Sequence, residues 1–310
     1  MKLQYSKVGI IGTGAMGRGI AQIAAQAGSQ VILFDTNTQA AVTAQTQLQA
    51  QWQSLVKKQR ISEADAHTYF ERLSLGSQLA DLSDCDLIVE AIVERLDVKT
   101  KLFGELEDVV STSTVLASNT SSLSITAIAA RLKHPERFAG FHFFNPVPLM
   151  KVVEVIGGLR TSQSVIEGLC QCARNMGHTP VVAQDTPGFI VNHAGRGYGT
   201  EALKIVSESV TDFVTIDKIL RDQAGFKLGP FELMDLTGLD VSHPVMESIY
   251  HQYFEESRYR PNVITTQRLA GGLLGRKSGQ GFYNYIDGAI QIAPEAAVPD
   301  IEEMPPEWHS

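Results

Sequence analysis

The sequence predicts an α/β protein, in which a doubly wound, mostly parallel sheet is followed by a C-terminal all-α domain. Two observations lead to this prediction. Short apolar runs bounded by turn residues alternate with helical stretches in the first half. After about residue 186, helical periodicity dominates and a single short strand is expected. The predicted domains are residues 1–186, residues 187–292, and an acidic, proline-rich tail at 293–310.

The elements of the N-terminal domain follow from these runs in order. Helices are predicted at 16–27 and 38–60, the second with few apolar positions and therefore a broad solvated face. The last strands lie close together in the chain, so we expect an antiparallel edge. The predicted strands are 7–11, 31–35, 87–91, 114–118, 138–142, 151–156 and 179–183.

The second half is predicted to be helical apart from a strand at 281–285. An all-α domain of this size often carries apolar faces that pair subunits, so we expect a homodimer. The predicted interface is "GPFELMDLTGLDV" and the helix after it. The predicted helices are 190–207, 215–222, 231–236, 244–254 and 262–270.

Composition excludes several classes of function. The chain has 310 residues with a net charge of −8, which argues against nucleic acid or an anionic membrane as the main partner. Neither a signal peptide nor an apolar run of roughly 20 residues is recognisable. Three cysteines suit a reducing compartment, so a cytoplasmic location is expected. Nothing completes a metal site around Cys170 and Cys172, and none is predicted.

A glycine-rich turn indicates a dinucleotide. In "VGIIGTGAMGRGIA", Gly12 makes the tight turn after the first strand, Gly14 lets backbone approach a pyrophosphate, and Gly17 lets helix pack on strand. Ala15 and Met16 begin the helix, whose N–H groups face the phosphates. This context predicts a Rossmann-type fold.

The acid that follows the next strand indicates which dinucleotide binds. Asp35 lies 23 residues after Gly12, where a carboxylate bonds a ribose 2′-hydroxyl. Thr36 and Asn37 follow it, and neither is the arginine that a 2′-phosphate would require. The predicted cofactor is therefore NAD.

A histidine and a glutamate lie in the apolar stretch "GFHFFNPVPLMKVVEV". His142 ends a strand, and ligands of open α/β sheets bind beyond the carboxyl ends of strands. Glu154 lies between two valines of the next strand, where a carboxylate needs a donor. A carboxylate behind an imidazole fixes its tautomer, as in a general base. The pattern alone equally allows a histidine bonded to backbone and a glutamate at a solvated edge.

Two further segments offer polar groups to a substrate. "LASNTSSLSI" ends a strand with Asn119, Ser121 and Ser122, although serines before Ile125 are also typical helix caps. Asn192 lies in the first helix of the second domain, as a donor to a carbonyl or as an ordinary polar helix residue.

Together these motifs resemble the L-3-hydroxyacyl-CoA dehydrogenase family, in order and spacing, from about residue 7 to residue 285. The resemblance implies NAD-dependent, reversible oxidation of (S)-3-hydroxyacyl-CoA to 3-oxoacyl-CoA, in fatty-acid β-oxidation, aromatic-acid breakdown or butanoate metabolism. It rests on "GTGAMGRGIA", "VEAIVERLDVKTKLF", "ASNTSSLSIT", "FAGFHFFNPVPLMKVVEV", "DTPGFIVN", "GPFELMDLTGLD" and "GRKSGQGFYNY".

The resemblance also assigns residues. It implies His142 as the base and Glu154 as its partner, with Ser121 and Asn192 at the substrate oxygen. The pattern alone would also allow Glu94 and Lys99, five residues apart, to form a surface charge pair. The cofactor contacts that it implies are Asp35 at the ribose, Glu94 and Lys99 near the adenosine side and ribose, Ser121, Asn145 near the nicotinamide, and Lys277.

Several points stay open in the sequence. His193 stands where the family commonly has arginine, and the coenzyme A contacts expected after Asp35 are not assigned, although Lys57, Lys58 and Arg60 end that region. Rival functions are a gulonate-type dehydrogenase of a free acid and an NAD-binding protein without turnover. Residues 255–279 are similar to 3-hydroxyadipyl-CoA dehydrogenases, but the sequence does not identify a cation for a terminal carboxylate.

Overall fold

The chain forms two compact units in a computed structural model that describes residues 4–291. The first unit ends at His193 and the second begins at Ala194, inside one helix. The boundary predicted at residue 186 remains a prediction. It marks the change from alternating strands and helices to helices alone, which need not coincide with the division into compact units. The predicted tail, 293–310, lies outside the described residues.

An eight-stranded sheet organises the first unit, with strand order β3-β2-β1-β4-β5-β6-β7-β8. Neighbouring strands are parallel except β6 and β7, which are antiparallel, while β8 is parallel to β7. The predicted parallel sheet with an antiparallel edge is thus confirmed. The strands are β1 Lys7–Ile11, β2 Gln30–Phe34, β3 Leu73–Leu75, β4 Leu87–Glu90, β5 Val115–Ser118, β6 Phe138–Phe143, β7 Val152–Gly157 and β8 Thr179–Gln184.

Helices cover the sheet. Alternate residues of the strands enter two separate buried apolar clusters, so that Val8 and Ile10 pack in one and Ile11 in the other. A mostly parallel sheet requires this coverage of both faces. The helices are α1 Ala15–Ala27, α2 Thr38–Lys57, α3 Glu63–Glu71, α4 Leu96–Glu107, α5 Ile125–Ala129 and α6 Gln163–Asn175.

The region after α2 differs from the prediction. The helix predicted to 60 ends at Lys57, and a separate helix, α3, begins after a capping box at Ser62. The strand β3 was also missed, because three residues are too few to show a period of two. The sparse apolar positions of α2 do leave a solvated face, with a narrow buried stripe that ends at Trp52.

The second unit begins within α7 Val191–Ser207 and is helical, as predicted, up to a terminal hairpin. The single strand predicted at 281–285 is wrong in position, because Phe282 and Tyr283 donate their N–H groups to the carboxylate of Asp235 and not to a ladder. Its other elements are α8 Phe213–Asp222, α9 Pro230–Thr237, α10 Leu239–Gln252, α11 Val263–Ala270, β9 Asn284–Ile286 and β10 Ala289–Gln291.

Buried acids join the elements of the second unit. Asp217 accepts hydrogen bonds from the N–H groups of Phe231 and Glu232 and from the hydroxyl of Tyr283. Burial raises the pKa of Asp217, and these donors only partly offset it. Part of the motif "GPFELMDLTGLD" therefore stabilises the fold of a single chain, in addition to any contact that it makes in a dimer.

Candidate active site

The glycine-rich turn connects β1 to α1, and two of its glycines are required by packing. Gly12 has φ of +90°, and an added Cβ would lie 2.5 Å from the carbonyl oxygen of Ala91. A Cβ on Gly17 would lie 1.8 Å from the carbonyl oxygen of Gly12. Gly14 differs, because a Cβ there would meet nothing within 4 Å. Packing therefore explains Gly12 and Gly17 but leaves Gly14 unexplained.

The start of α1 fits a phosphate group. Gly14 is the N-cap residue and offers no side-chain hydrogen bond to the first turn. The N–H groups of Ala15 and Met16 therefore have no side-chain cap, and they begin a helix whose dipole favours an anion. The open space at Gly14 lets a pyrophosphate approach this end closely.

Asp35 connects the glycine-rich turn to β2. One carboxylate oxygen accepts hydrogen bonds from Thr13, at 2.9 Å from the backbone nitrogen and 3.0 Å from the hydroxyl. The other accepts the N–H of Asn37 at 3.0 Å. Two oxygens have about four lone-pair sites, so Asp35 retains capacity for a ribose hydroxyl.

The two unlike glycines give a paired prediction. Gly17→Ala is expected to lower Tm, because its methyl group collides with rigid backbone. Gly14→Ala is expected to keep Tm but weaken NADH binding by about tenfold or more, since the methyl group enters the space of the phosphates. Thermal melting and NADH fluorescence titration check this pair. Unchanged NADH affinity in Gly14→Ala would contradict the placement of the pyrophosphate.

Glu94 is held by the segment that follows β5. Its Oε1 accepts hydrogen bonds from the Thr120 hydroxyl at 2.6 Å and from the backbone nitrogens of Ser121 at 2.9 Å and Ser122 at 3.1 Å. Burial raises the pKa of Glu94, but the charge of Lys99 and these donors outweigh it and leave the pKa lowered. Glu94 is thus an ionised acid at the carboxyl end of the sheet.

Glu94 and Lys99 do form a charge pair, but Lys99 is buried, so the surface position of that pair is wrong. Lys99 is 1% exposed, and its Nζ lies 2.5 Å from Oε1 of Glu90 and 3.4 Å from Oε2 of Glu94. Glu90 ends β4 and also accepts the hydroxyl of Ser118 at 2.6 Å. The sequence analysis missed Glu90, although an acid that ends the apolar strand "LIVE" was the available signal. Direct contact of Glu94 or Lys99 with the cofactor remains a prediction.

His142 and Glu154 lie directly opposite each other on the antiparallel strands β6 and β7. The imidazole Nδ1 lies 2.7 Å from Oε2 of Glu154, and both side chains are buried. The other oxygen, Oε1, accepts the N–H groups of Ile190 and Val191, each at 2.9 Å. The alternative of a histidine bonded to backbone and a solvated glutamate is therefore wrong.

The bonds of Glu154 define the state of the imidazole. Burial raises the pKa of Glu154, but His142 and the two backbone donors outweigh it and lower the pKa. An ionised carboxylate only accepts, so Nδ1 carries a proton and Nε2 is the ring nitrogen that remains for a substrate. Within residues 4–291 no hydrogen bond is made to Nε2. The rings of Phe144 and Phe189 lie 4.5 and 5.8 Å from the imidazole, centroid to centroid.

The lowered pKa of Glu154 predicts an effect of pH on stability. A carboxyl group whose pKa falls below its usual 4.5 on folding stabilises the protein above that pH, and this stabilisation is lost as pH falls through the folded pKa. From about pH 6 to about pH 3, the free energy of unfolding is expected to fall more steeply in the wild type than in Glu154→Gln. Urea unfolding at several pH values measures both slopes. Parallel slopes would contradict an ionised Glu154.

The structure brings Ser121 and Asn192 together, and their catalytic roles stay a prediction. The Asn192 side-chain amide donates to the carbonyl oxygen of Ser121 at 3.2 Å. The cap of α5 is Ser124, whose hydroxyl accepts the N–H of Ala127, so the capping interpretation does not apply to Ser121. Asn119 has a structural role, since its side-chain oxygen accepts the N–H of Phe143 at 2.9 Å.

The remaining predicted residues make none of the contacts described above. Asn145 is exposed in the turn after β6. Lys277 belongs to the second unit, where its Nζ lies 2.6 Å from a carboxylate oxygen of Asp240. Lys57 and Arg60 are exposed near the end of α2. The predicted cofactor and coenzyme A roles of these residues stay predictions.

Comparison with known proteins places the chain in a family. The family model "3-hydroxyacyl-CoA dehydrogenase, NAD binding domain" matches residues 7–186, and "3-hydroxyacyl-CoA dehydrogenase, C-terminal domain" matches residues 188–285. The chain belongs to the 3-hydroxyacyl-CoA dehydrogenase family. The predicted family and the predicted cofactor, NAD, are thereby confirmed.

Individual relatives differ in length and in named substrate. The 3-hydroxyadipyl-CoA dehydrogenase of Escherichia coli is 43% identical over 92% of this chain, which spans only 60% of that protein. The probable 3-hydroxybutyryl-CoA dehydrogenase of Deinococcus radiodurans is 40% identical over 90% of this chain and all of its own length. A solved 3-hydroxybutyryl-CoA dehydrogenase from Escherichia coli matches with a TM-score of 0.91 and 42% identity, over 96% of this chain and 63% of that one.

Proposed function

We propose that this chain catalyses the reversible, NAD-dependent oxidation of (S)-3-hydroxyacyl-CoA to 3-oxoacyl-CoA. The observation that carries the proposal is the buried His142–Glu154 pair, at the carboxyl end of a strand in a sheet whose first turn fits a dinucleotide. The names of the relatives, which refer to 3-hydroxyacyl-CoA substrates, support it.

In this mechanism His142 acts as the general base. Its Nε2 lone pair takes the proton of the C3 hydroxyl as the carbon–oxygen double bond forms. NAD, held at the glycine-rich turn and Asp35, would supply the acceptor for the hydride that leaves C3. A positioned general base typically contributes about 10²–10⁴-fold to the rate. The reverse reaction uses the same imidazole as an acid, because its proton returns to the oxygen.

The neighbouring side chains stabilise the charges that develop. Glu154 favours the imidazolium as it forms, and its 2.7 Å bond to Nδ1 keeps the ring oriented. Ser121 and Asn192 hold the substrate oxygen in the proposed complex. The loss of one such donor costs on the order of 2–4 kcal/mol of transition-state stabilisation.

The location and assembly of the protein are part of the proposal. We place it in the cytoplasm as a homodimer. Its three cysteines are buried and unpaired, which suits a reducing compartment. Within the predicted interface segment, Leu233, Leu236 and Val241 are 39, 49 and 53% exposed, and such apolar side chains are available to a second copy. No helix among residues 4–291 has the length and apolar character of a membrane span. A monomer in analytical ultracentrifugation at micromolar concentration would refute the dimer.

The test of function is NADH consumption with acetoacetyl-CoA. Free acetoacetate at equal concentration separates a CoA-ester enzyme from a gulonate-type dehydrogenase of free acids. NADPH in place of NADH tests the ribose assignment, because an acid that binds the 2′-hydroxyl, the role proposed for Asp35, repels a 2′-phosphate. We expect turnover only with the thioester and NADH. Absence of turnover by a folded, NADH-binding protein would refute the proposal.

A further inference from the structure

A buried carboxylate at the end of β4 uses both of its oxygens. Glu90 is 0% exposed. Its Oε1 accepts the ammonium of Lys99 at 2.5 Å and the N–H of Ile92 at 2.7 Å, and its Oε2 accepts the hydroxyl of Ser118 at 2.6 Å. These partners belong to the loop after β4, the start of α4 and the end of β5. Glu90 therefore joins three segments of the first unit at the carboxyl edge of its sheet.

One series of contacts, which we call the ion-pair route, leads from Glu90 to Ser121. The Nζ of Lys99 also lies 3.4 Å from Oε2 of Glu94. The Oε1 of Glu94 accepts the backbone N–H of Ser121 at 2.9 Å and its hydroxyl at 3.3 Å. Lys99 is 1% exposed, so bulk water cannot replace a lost carboxylate beside its ammonium. The position of Glu94, and with it the backbone of Ser121, therefore depends on the charge of Glu90.

A second series of contacts, the serine route, is shorter. The hydroxyl of Ser118, which donates to Oε2 of Glu90, accepts the N–H of Thr120 at 3.2 Å. The carbonyl oxygen of Glu90 also accepts the N–H of Asn119 at 2.8 Å. Ser118 and Thr120 are 0 and 1% exposed, so these bonds are shielded from water. Both routes end in the same loop, residues 119–122, which contains Ser121.

The hydroxyl of Ser121 is held less tightly than its backbone. Its 3.3 Å bond is the longest that Oε1 of Glu94 accepts from this loop, where the others measure 2.6 to 3.1 Å. Glu94 therefore keeps several donors when this hydroxyl turns toward another acceptor. Ser121 is half-buried, so a substrate oxygen has access to it. The loop thus combines a fixed backbone with a hydroxyl that is available to a substrate.

We propose that Glu90 is a positioning residue that holds the hydroxyl of Ser121 at the substrate oxygen by these two routes. The carboxylate of Glu90 is enclosed and acts through other groups, so it is not itself a catalytic residue. The inference rests on the proposed function, because it concerns the transition state of the same reaction. A displacement of about 1 Å of a group that contacts the reacting atoms can cost about 10²-fold in rate.

Glu90→Gln tests the inference with acetoacetyl-CoA and NADH. Glutamine can keep the bonds to Ile92 and Ser118, but it leaves the buried ammonium of Lys99 without the charge beside it. We expect kcat to fall about 10- to 100-fold. The KM values of both substrates are expected to stay within about threefold, because the contact with the reacting oxygen matters most in the transition state. A loss confined to the KM for NADH would overturn the inference, since it would indicate a role in cofactor binding.

A double-mutant cycle separates positioning from a general effect on the fold. Ser121→Ala removes the hydroxyl itself and is expected to lower kcat about 10²–10³-fold. In the Ser121→Ala background, Glu90→Gln is expected to cause no further loss of kcat, because the group that Glu90 positions is already absent. If the two losses multiply in the double variant, Glu90 acts on the reaction by another way and the inference fails.

The other end of α4 provides a matched control. Glu107, the last residue of this helix, lies 3.5 Å from a guanidinium nitrogen of Arg137, and the two side chains are 2 and 6% exposed. Its oxygens also accept the N–H groups of Lys133 and His134, in the segment before β6. Glu107→Gln is expected to lower Tm, as Glu90→Gln does, but to keep kcat within about threefold. Equal losses of kcat in the two variants would refute positioning, because any buried ion pair of this unit would then have the same effect.

A milder variant decides the question if Glu90→Gln does not fold. Ser118→Ala breaks the serine route and leaves the buried ion pair in place. It is expected to lower kcat about three- to tenfold, the usual worth of one hydrogen bond, and to have no effect in the Ser121→Ala background. Unchanged kcat in Ser118→Ala would overturn the inference. Inactivity of the folded wild type with acetoacetyl-CoA and NADH refutes the proposed function instead.

Discussion

Replacement of His142 by glutamine is expected to lower kcat for acetoacetyl-CoA reduction by about 10²–10⁴-fold, the usual contribution of a positioned acid or base. Glutamine still hydrogen-bonds the carboxylate of Glu154, which otherwise loses its 2.7 Å partner, but it exchanges no proton. NADH affinity is expected to stay within a few-fold, because the predicted phosphate site lies at the start of α1. Stopped-flow single turnover and NADH fluorescence titration measure the two quantities.

A second buried histidine provides the control. His178 is 4% exposed, and its ring nitrogens lie 3.0 Å from the carbonyl oxygens of Met176 and Val147. These bonds tie the turn after β6 to the start of β8, so His178→Gln is expected to lower Tm and largely keep kcat. If His142→Gln turned over at near the wild-type rate with saturating cofactor, the assignment of the base would be wrong.

Glu154→Gln is expected to lower kcat by about 10²-fold or more, through the tautomer of the imidazole. The two N–H groups of Ile190 and Val191 require an acceptor at Oε1, so the new amide nitrogen must face His142. Nδ1 then accepts, the ring proton moves to Nε2, and the lone pair that would take the substrate proton is lost. Single-turnover oxidation with saturating cofactor and substrate measures this loss.

Asp185→Asn is the control for this second substitution. Asp185 follows β8 and accepts the N–H groups of Ile125 and Thr126 at 2.8 and 2.7 Å, and within residues 4–291 it has no hydrogen bond to a histidine. It is expected to reduce stability without a comparable effect on kcat. A Glu154→Gln variant with kcat within threefold of the wild type, about 0.7 kcal/mol, would rule out control of the tautomer.

The features that the sequence could predict are those with a strict period or a strict spacing. The glycine turn has one spacing that serves a dinucleotide, and β1 lies before it and α1 after it as predicted. His142 and Glu154 lie opposite each other because their strands are antiparallel neighbours joined by a short turn. Strand β3 was missed because it has three residues and its pairing with β2 is non-local.

Burial and partners were harder to predict than position. Glu90 and Lys99 form a buried ion pair. In the sequence they are nine residues apart, and that spacing would suggest two separate charges at the surface. The sequence predicts only that Arg196 is a polar residue on a helix. The structure shows that its Nε is buried. Such properties depend on what other elements bring to the side chain, and no local pattern records that.

The bonds of Glu154 limit what evolution can place at this position. One oxygen accepts the first N–H groups of the segment that leads into α7, while the other accepts the imidazole proton. Aspartate has the two acceptors but is one methylene shorter, and glutamine has the length but only one acceptor. Glutamate alone satisfies both partners. Any substitution of Glu154 therefore changes both the orientation of the base and the hydrogen bonds at the start of α7.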